Sequence, residues 1–313
     1  MEHAAILVSD TEIAAYGFPG GHPFGPDRHD AFLNEMQQSE CWDRLDVQPA
    51  RQASREELEY FHTPRYIDRV IELSRSGEGY LDRGDTPAFE GVYERAAFVV
   101  GGTLNALAKI IEESVPRAFI PIAGLHHAAR DSAAGFCVFN DCSVAIEAAR
   151  RVYGIERVGY VDIDAHHGDG VFYGFEDEPS VIFADMHEDG RFLYPGTGAR
   201  DEIGRGAAAG TKLNLPMQPG SDDILFKTAW EAVEAHLDQY RPQLLLLQCG
   251  ADSLGGDPIT HLAYTEEAHA YAAHKLRAFA DDYCEGRILA MGGGGYHRPN
   301  LARAWTRVVE ALA

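Results

Sequence analysis

Apolar residues along this chain fall into short runs separated by polar or glycine-rich breaks. They stand at residues 4–10 (AAILVSD), 118–124 (AFIPIAG), 157–164 (RVGYVDID), 180–186 (SVIFADM), 211–216 (TKLNLP), 243–250 (QLLLLQCG) and 287–294 (RILAMGGG). Each has the length and boundary signals of a buried β-strand. Between them lie stretches whose apolar positions recur at helical spacing, among them 93–114, 140–154 and 222–242, the last ended by Pro242. Strands alternating with helices in this way predict an α/β protein, its mostly parallel sheet covered by helices on both faces. No repeat, low-complexity linker or shift in composition divides the chain, which predicts one domain over residues 1–313.

In open parallel sheets, ligands bind just outside the carboxyl ends of the strands. The segments following the apolar runs are 124–141 (GLHHAARDSAAGFCVFND), 164–170 (DAHHGDG), 186–198 (MHEDGRFLYPGTG), 249–258 (CGADSLGGDP) and 292–297 (GGGGYH). They hold much of the chain's histidine, aspartate and glycine. Asp164 and His166 lie two apart at a strand end, so continued extended backbone would point both side chains the same way. A carboxylate beside an imidazole suits a divalent ion. Zinc takes both at about 2.0–2.2 Å, and catalytic zinc keeps three protein ligands and an open position. A third ligand must come from another strand end, and Asp252, after four consecutive leucines, is the best candidate. An aspartate at the mouth of so apolar a strand is costly unless paired or ligating. Taken singly, each aspartate reads as a turn or helix cap; together the residues predict a metal site.

Composition narrows the choice of partner. The 313 residues are 45% hydrophobic, and 27 Lys plus Arg against 49 Asp plus Glu give a formal charge of −22. Such a surface repels phosphate backbones, so no nucleic acid is expected as a partner. It would favour cations such as lysine-rich tails or polyamines, or serve solubility alone. The five cysteines (41, 137, 142, 249 and 284) form no C-x-x-C pair and sit mostly in apolar segments, as expected of buried thiols in a reducing compartment. The start, MEHAAILVSDTEIAAYG, has no basic region or cleavage signature. No apolar run reaches about 18 residues, so no membrane partner is expected and the location is predicted to be cytoplasmic. Nothing in the sequence sets an oligomeric state.

At this point the chain resembles the zinc-dependent histone deacetylase family, in its bacterial amidohydrolase and acetoin-utilization form. The resemblance rests on GGHPFGPDRH (20–29), His126–His127, GFCVFND (135–141), DIDAHHGDG (162–170), YPGTG (194–198), GADSLGGDP (250–258) and GGGGYHRPNLARAW (292–305). It implies the arginase–deacetylase fold, a single domain around an eight-stranded, mostly parallel sheet. It also implies one catalytic zinc on Asp164, His166 and Asp252, and Tyr296 as a hydrogen-bond donor in the transition state. His126 and His127 become paired imidazoles, backed by Asp162 and Asp169 respectively. A structural potassium ion is implied on backbone carbonyls around Asp162, Asp164 and His166, completed at Asp185 and Met186. Substrate contacts fall to Gly135 and Phe136, to Tyr194 where the family usually has phenylalanine, and to Asp85 at the rim. Arg28 would line an inner acetate pocket, and His22 is an ordinary loop residue.

The reaction implied is hydrolysis of the amide of acetyl-lysine, or of a longer acyl-lysine, in a peptide or protein. Zinc polarises the carbonyl and acidifies water. His127 would move the proton, with His126 stabilising charge, and Tyr296 would support the oxyanion. A cysteine nucleophile at Cys137 or Cys142 is rejected, because the histidines it would need stand beside a metal site. A dinuclear arginase-like site is also excluded: the two carboxylates it would add fall at Gly168 and Gly250. An acetylated polyamine is the rival substrate, although Ile259 stands where a polyamine-selective relative would carry a glutamate. An inactive acyl-binding module would have lost part of this set, and every part is present.

Overall fold

The structure, a computed structural model, describes residues 4–113 and 115–313; the first three residues of the N-terminal stretch lie outside the described residues. The strands are β1 (Ala5–Val8), β2 (Leu45–Gln48), β3 (Arg117–Ile120), β4 (Val158–Asp162), β5 (Val181–Asp185), β6 (Lys212–Asn214), β7 (Leu244–Gln248) and β8 (Ile288–Met291). They form one sheet in the order β2-β1-β3-β8-β7-β4-β5-β6. Each of its pairings is parallel, where the sequence predicted only a mostly parallel sheet.

The helices are α1 (Thr11–Ala14), α2 (Asp27–Met36), α3 (Arg55–Leu58), α4 (Pro64–Ser76), α5 (Val92–Glu112), α6 (Asp141–Arg151), α7 (Asp169–Gly174), α8 (Asp223–Tyr240), α9 (Glu266–Tyr283) and α10 (Arg298–Leu312). Local chemistry sets their ends. The Asp222 carboxylate accepts the N–H groups of Ile224 and Leu225 and starts α8; Arg241, in the left-handed region, ends it just before Pro242. Asn140 caps α6 through the N–H of Ser143. Thr63 caps α4, Pro64 occupies its first turn and left-handed Gly77 closes it.

Alternation along fully buried strands divides the apolar residues between two cores. Leu244, Leu246, Tyr160 and Phe183 pack with α5 and α6, and Leu245, Leu247, Val161 and Ile182 pack with α8, α9 and α10 on the opposite face. This is why the central strands read as continuous apolar runs rather than alternating ones. The eighth strand, β2, was not among those runs. It is an edge strand, LDVQ, with only Leu45 buried, so it has no apolar run to show.

The topology also fixes where a site can form. From β4 the chain moves outward through β5 to β6, whereas from β7 it moves the other way to β8. Adjacent β4 and β7 therefore flank a point where the winding reverses and the crossovers leave a crevice at the carboxyl ends.

Candidate functional site

The crevice is a cavity of about 250 Å³ lined by the ends of four neighbouring strands: His126 and His127 after β3, Asp164 and His166 after β4, Asp252 after β7 and Tyr296 after β8. At its floor, potential ligand atoms of Asp164, His166 and Asp252 all lie within 4.8 Å of one another, the one such grouping among the described residues. His166 Nδ1 is 3.1 Å from Asp164 Oδ1 and 3.1 Å from Asp252 Oδ2. Burial and the neighbouring Asp164 charge push the Asp252 carboxyl up to about 7. Two buried carboxylates and an imidazole converging on one point form a donor set that fits a divalent cation of the zinc type.

Other atoms hold these ligands in place. Asp164 Oδ2 accepts the N–H of Gly294 and the side-chain amide of Gln248, each at 2.9 Å. Asp252 Oδ1 accepts the N–H of Ala165 at 2.9 Å. Glycine is required around them. A Cβ on Gly294 would overlap the Asp252 carboxylate, and one on Gly250 would run into that of Asp164.

Two histidine–aspartate pairs stand beside the ligands. His126 Nδ1 is 2.8 Å from Asp162 Oδ2, which also accepts the Tyr160 hydroxyl at 2.6 Å. His127 Nδ1 is 2.6 Å from Asp169 Oδ1. Their rings are 4.1 Å apart, yet their environments differ. Burial opposes a charge on His126, but the Asp162 and Asp164 carboxylates outweigh it and push the group up to about 10. Burial and the charge of His126 pull His127 down to about 4, against the influence of Asp169. These surroundings push the two imidazoles in opposite directions, His126 toward the charged form and His127 toward the neutral form that can accept a proton.

Tyr296 lines the cavity, and burial, with Asp252 adding to it, keeps its hydroxyl protonated far above the ordinary range. Gly135, Phe136 and Tyr194 line the approach. Phe136 adopts φ 68°, and a Cβ on Gly135 would strike the His127 ring. The Tyr16 hydroxyl donates to the Phe136 carbonyl at 2.7 Å and so helps hold this unusual backbone. Tyr194 is 45% exposed and meets His127 edge-on at 5.2 Å. Asp85 lies exposed at the rim. The loop that carries it is held by Asp82, whose Oδ1 accepts the N–H groups of Gly84, Asp85 and Thr86. Sharing a hydrogen bond with Asp82 pushes Asp85 up to about 6.

Arg28 is fully buried on α2 rather than at the surface. It donates to the carbonyls of Gly295 (2.9 Å) and Gly293 (2.5 Å), and its Nη1 has no hydrogen-bond partner. His22 is a loop residue, but its ring packs 4.5 Å from Phe136. Asp162 and Asp185 are paired in register across β4 and β5, and the Met186 N–H donates to the Asp162 carbonyl at 3.0 Å. The Asp185 carboxylate engages His187 through Oδ1 and the Gly168 N–H through Oδ2.

Several polar residues at the site escaped the sequence reading. Gln248 bridges Gly124, Asp164 and Gly250. The amide of Asn140 donates to the carbonyls of His126 and Ala128. Asp141 accepts the N–H groups of Gly124 and Leu125, and Asp257 accepts that of Tyr296 at 2.8 Å. Gln248 left one sign, a polar side chain ending a strand of four leucines.

Comparison with known proteins agrees with this geometry. A profile of the histone deacetylase domain matches residues 22–312. The chain is 36% identical to the acetoin utilization protein AcuC of Bacillus subtilis, covering 97% of this chain and 81% of that protein. It is 32% identical to the histone deacetylase RPD3 of Saccharomyces cerevisiae, over 95% of this chain and 69% of the yeast protein. Its structure resembles the crystal structure of the HDA15 HD domain, with a TM-score of 0.92 and 27% identity, covering 100% of this chain and 90% of the other.

Proposed function

The chain belongs to the histone deacetylase family, and from that premise we propose a zinc-dependent amidohydrolase that removes acetyl groups from lysine side chains. One observation carries the reading. Asp164, His166, Asp252, both histidines and Tyr296 all line one cavity, and each histidine is backed by a carboxylate. The single eight-stranded sheet is that of the arginase–deacetylase fold, and we take residues 1–313 to act as one domain.

Zinc held by Asp164, His166 and Asp252 would polarise the amide carbonyl and acidify the attacking water. The protein's own groups do the rest. With Nδ1 donating to Asp169, His127 presents a neutral Nε2 that takes a proton from water and delivers it to the leaving amine. His126, anchored by Asp162 and pushed toward its charged form, stabilises negative charge developing beside it. The Tyr296 hydroxyl donates to the oxyanion, and the Asp257 carboxylate positions that tyrosine through its backbone. Gly135, Phe136 and Tyr194 flank the aliphatic stem of the lysine, and Asp85 accepts backbone N–H groups of a peptide. Arg28 borders the space that receives acetate. Potassium would bind carbonyl oxygens around Asp162, Asp164, His166, Asp185 and Met186. The five cysteines are buried and free, in keeping with a cytoplasmic location, and no helix among the described residues is long and apolar enough to cross a membrane.

A single metal is supported by Gly250, which stands where a second metal would need a ligand on the β7 side and where a Cβ would collide with Asp164. Ile259 in the cavity wall leaves that position without a carboxylate to hold a polyamine. The test is turnover of acetyl-lysine peptides and N-acetylputrescine by the zinc-loaded protein. A higher kcat/KM for peptide is expected. Faster putrescine turnover would transfer the reading to polyamines, and turnover of neither would point to an inactive acyl-binding module.

A further inference from the structure

Beside the cavity mouth lies a second, wider depression of about 780 Å³, bounded by Arg69 on α4, by residues 81–85, by 132–134 and by Tyr194 and Pro195. Asp85 and Tyr194 line both spaces, so a chain that delivers a lysine into the first must cross or border the second. Its lining sets two arginines, Arg69 and Arg83, against two aspartates, Asp82 and Asp85, on a molecule that is acidic overall. Many cations elsewhere are tied to carboxylates, among them Arg51 to Glu57, Arg55 to Asp68, Arg150 to Glu178 and Arg307 to Glu267. Arg69 and Arg83, both exposed in this groove, have no carboxylate within salt-bridge distance among the described residues. Neither of the groove's two acids, Asp82 and Asp85, is paired with them. The Asp82 carboxylate is taken up by three backbone N–H groups and the Thr86 hydroxyl.

We infer that this groove is a specificity subsite, in which Arg69 and Arg83 hold an acidic side chain flanking the acyl-lysine of a peptide or protein. The inference rests on the acyl-lysine reading above and names the class of sequence that it serves. Asp85 then receives backbone N–H groups between the two subsites, while the guanidinium groups meet a carboxylate as paired donors. The net charge of −22 alone would favour a cationic substrate. The two unpaired guanidinium groups instead offer donors to an anionic flank.

The test uses three acetyl-lysine peptides identical except for glutamate, glutamine or lysine at the flanking positions, with each side varied separately. The zinc-loaded wild type should prefer glutamate over glutamine in kcat/KM by about fivefold, the size that two exposed charge pairs supply together, with lysine poorest. The preference should shrink as salt rises and vanish in Arg69→Ala/Arg83→Ala. Arg83→Glu alone, at an exposed turn, should invert it, and Arg83→Lys should keep part of it. Equal turnover of the three peptides, or a preference that survives the double substitution, would overturn the subsite and leave the deacetylase intact. No turnover of any peptide would overturn both.

Discussion

Tyr296 separates binding from chemistry, because it lines the cavity without belonging to the cluster of metal-ligand atoms. Tyr296→Phe should keep its zinc, measured by metal content, while kcat falls roughly 10²–10³-fold, as for one lost oxyanion donor. Full activity would remove the tyrosine from the mechanism. Asp169→Asn keeps the shape of its pair but loses the carboxylate that fixes the His127 tautomer. A loss in kcat approaching about 10⁴-fold is expected, with peptide KM little changed. Asp85 is the pH-sensitive contact. Its carboxyl is pushed up to about 6, so the acceptor form is present above that value and is lost as pH falls through it. For peptides, KM should rise as pH drops through about 6, and Asp85→Asn should remove that rise. An unaltered profile in the variant would place the titration elsewhere.

The strands that carry the ligands are the part of the fold most plainly written in the sequence. QLLLLQCG and RVGYVDID are apolar because both faces of β7 and β4 are covered, and polar residues begin only where those strands end. Strand β2 stayed hidden because an edge strand of four residues needs no apolar run. The ligand and histidine positions were legible for the same reason that the strands were: ionisable residues stand out beside leucine and valine. Gln248, Asn140 and Asp257 were not, since polar groups that hold backbone amides resemble ordinary caps and turns. Close approach between elements left a fainter trace, the paired glycines of α5. A Cβ on Gly101 would enter the backbone at 51–53. Gly101→Val should therefore lower stability by about 1–3 kcal/mol through overpacking, read from the denaturation midpoint. A neutral result would mean that α5 can shift away.

For the molecule as a whole, the buried ligand cluster couples metal binding to folding. The Asp164 and Asp252 carboxylates are held together in the folded chain at a cost that a cation relieves, so zinc should raise Tm, the gain growing with the logarithm of its excess over Kd. Asp252→Asn should lose most of that response. The surface charge of −22 acts over the same molecule, and moderate salt should stabilise the fold by screening its self-repulsion.

The most direct test is acetate release from an acetyl-lysine peptide by protein stripped of metal and then titrated with zinc. Activity should be absent at the start, rise linearly, and break at one zinc per chain, with Asp164→Asn or Asp252→Asn giving no such break. Acetate released by the metal-free protein, or a break at two zinc ions per chain, would contradict a single catalytic metal held by Asp164, His166 and Asp252.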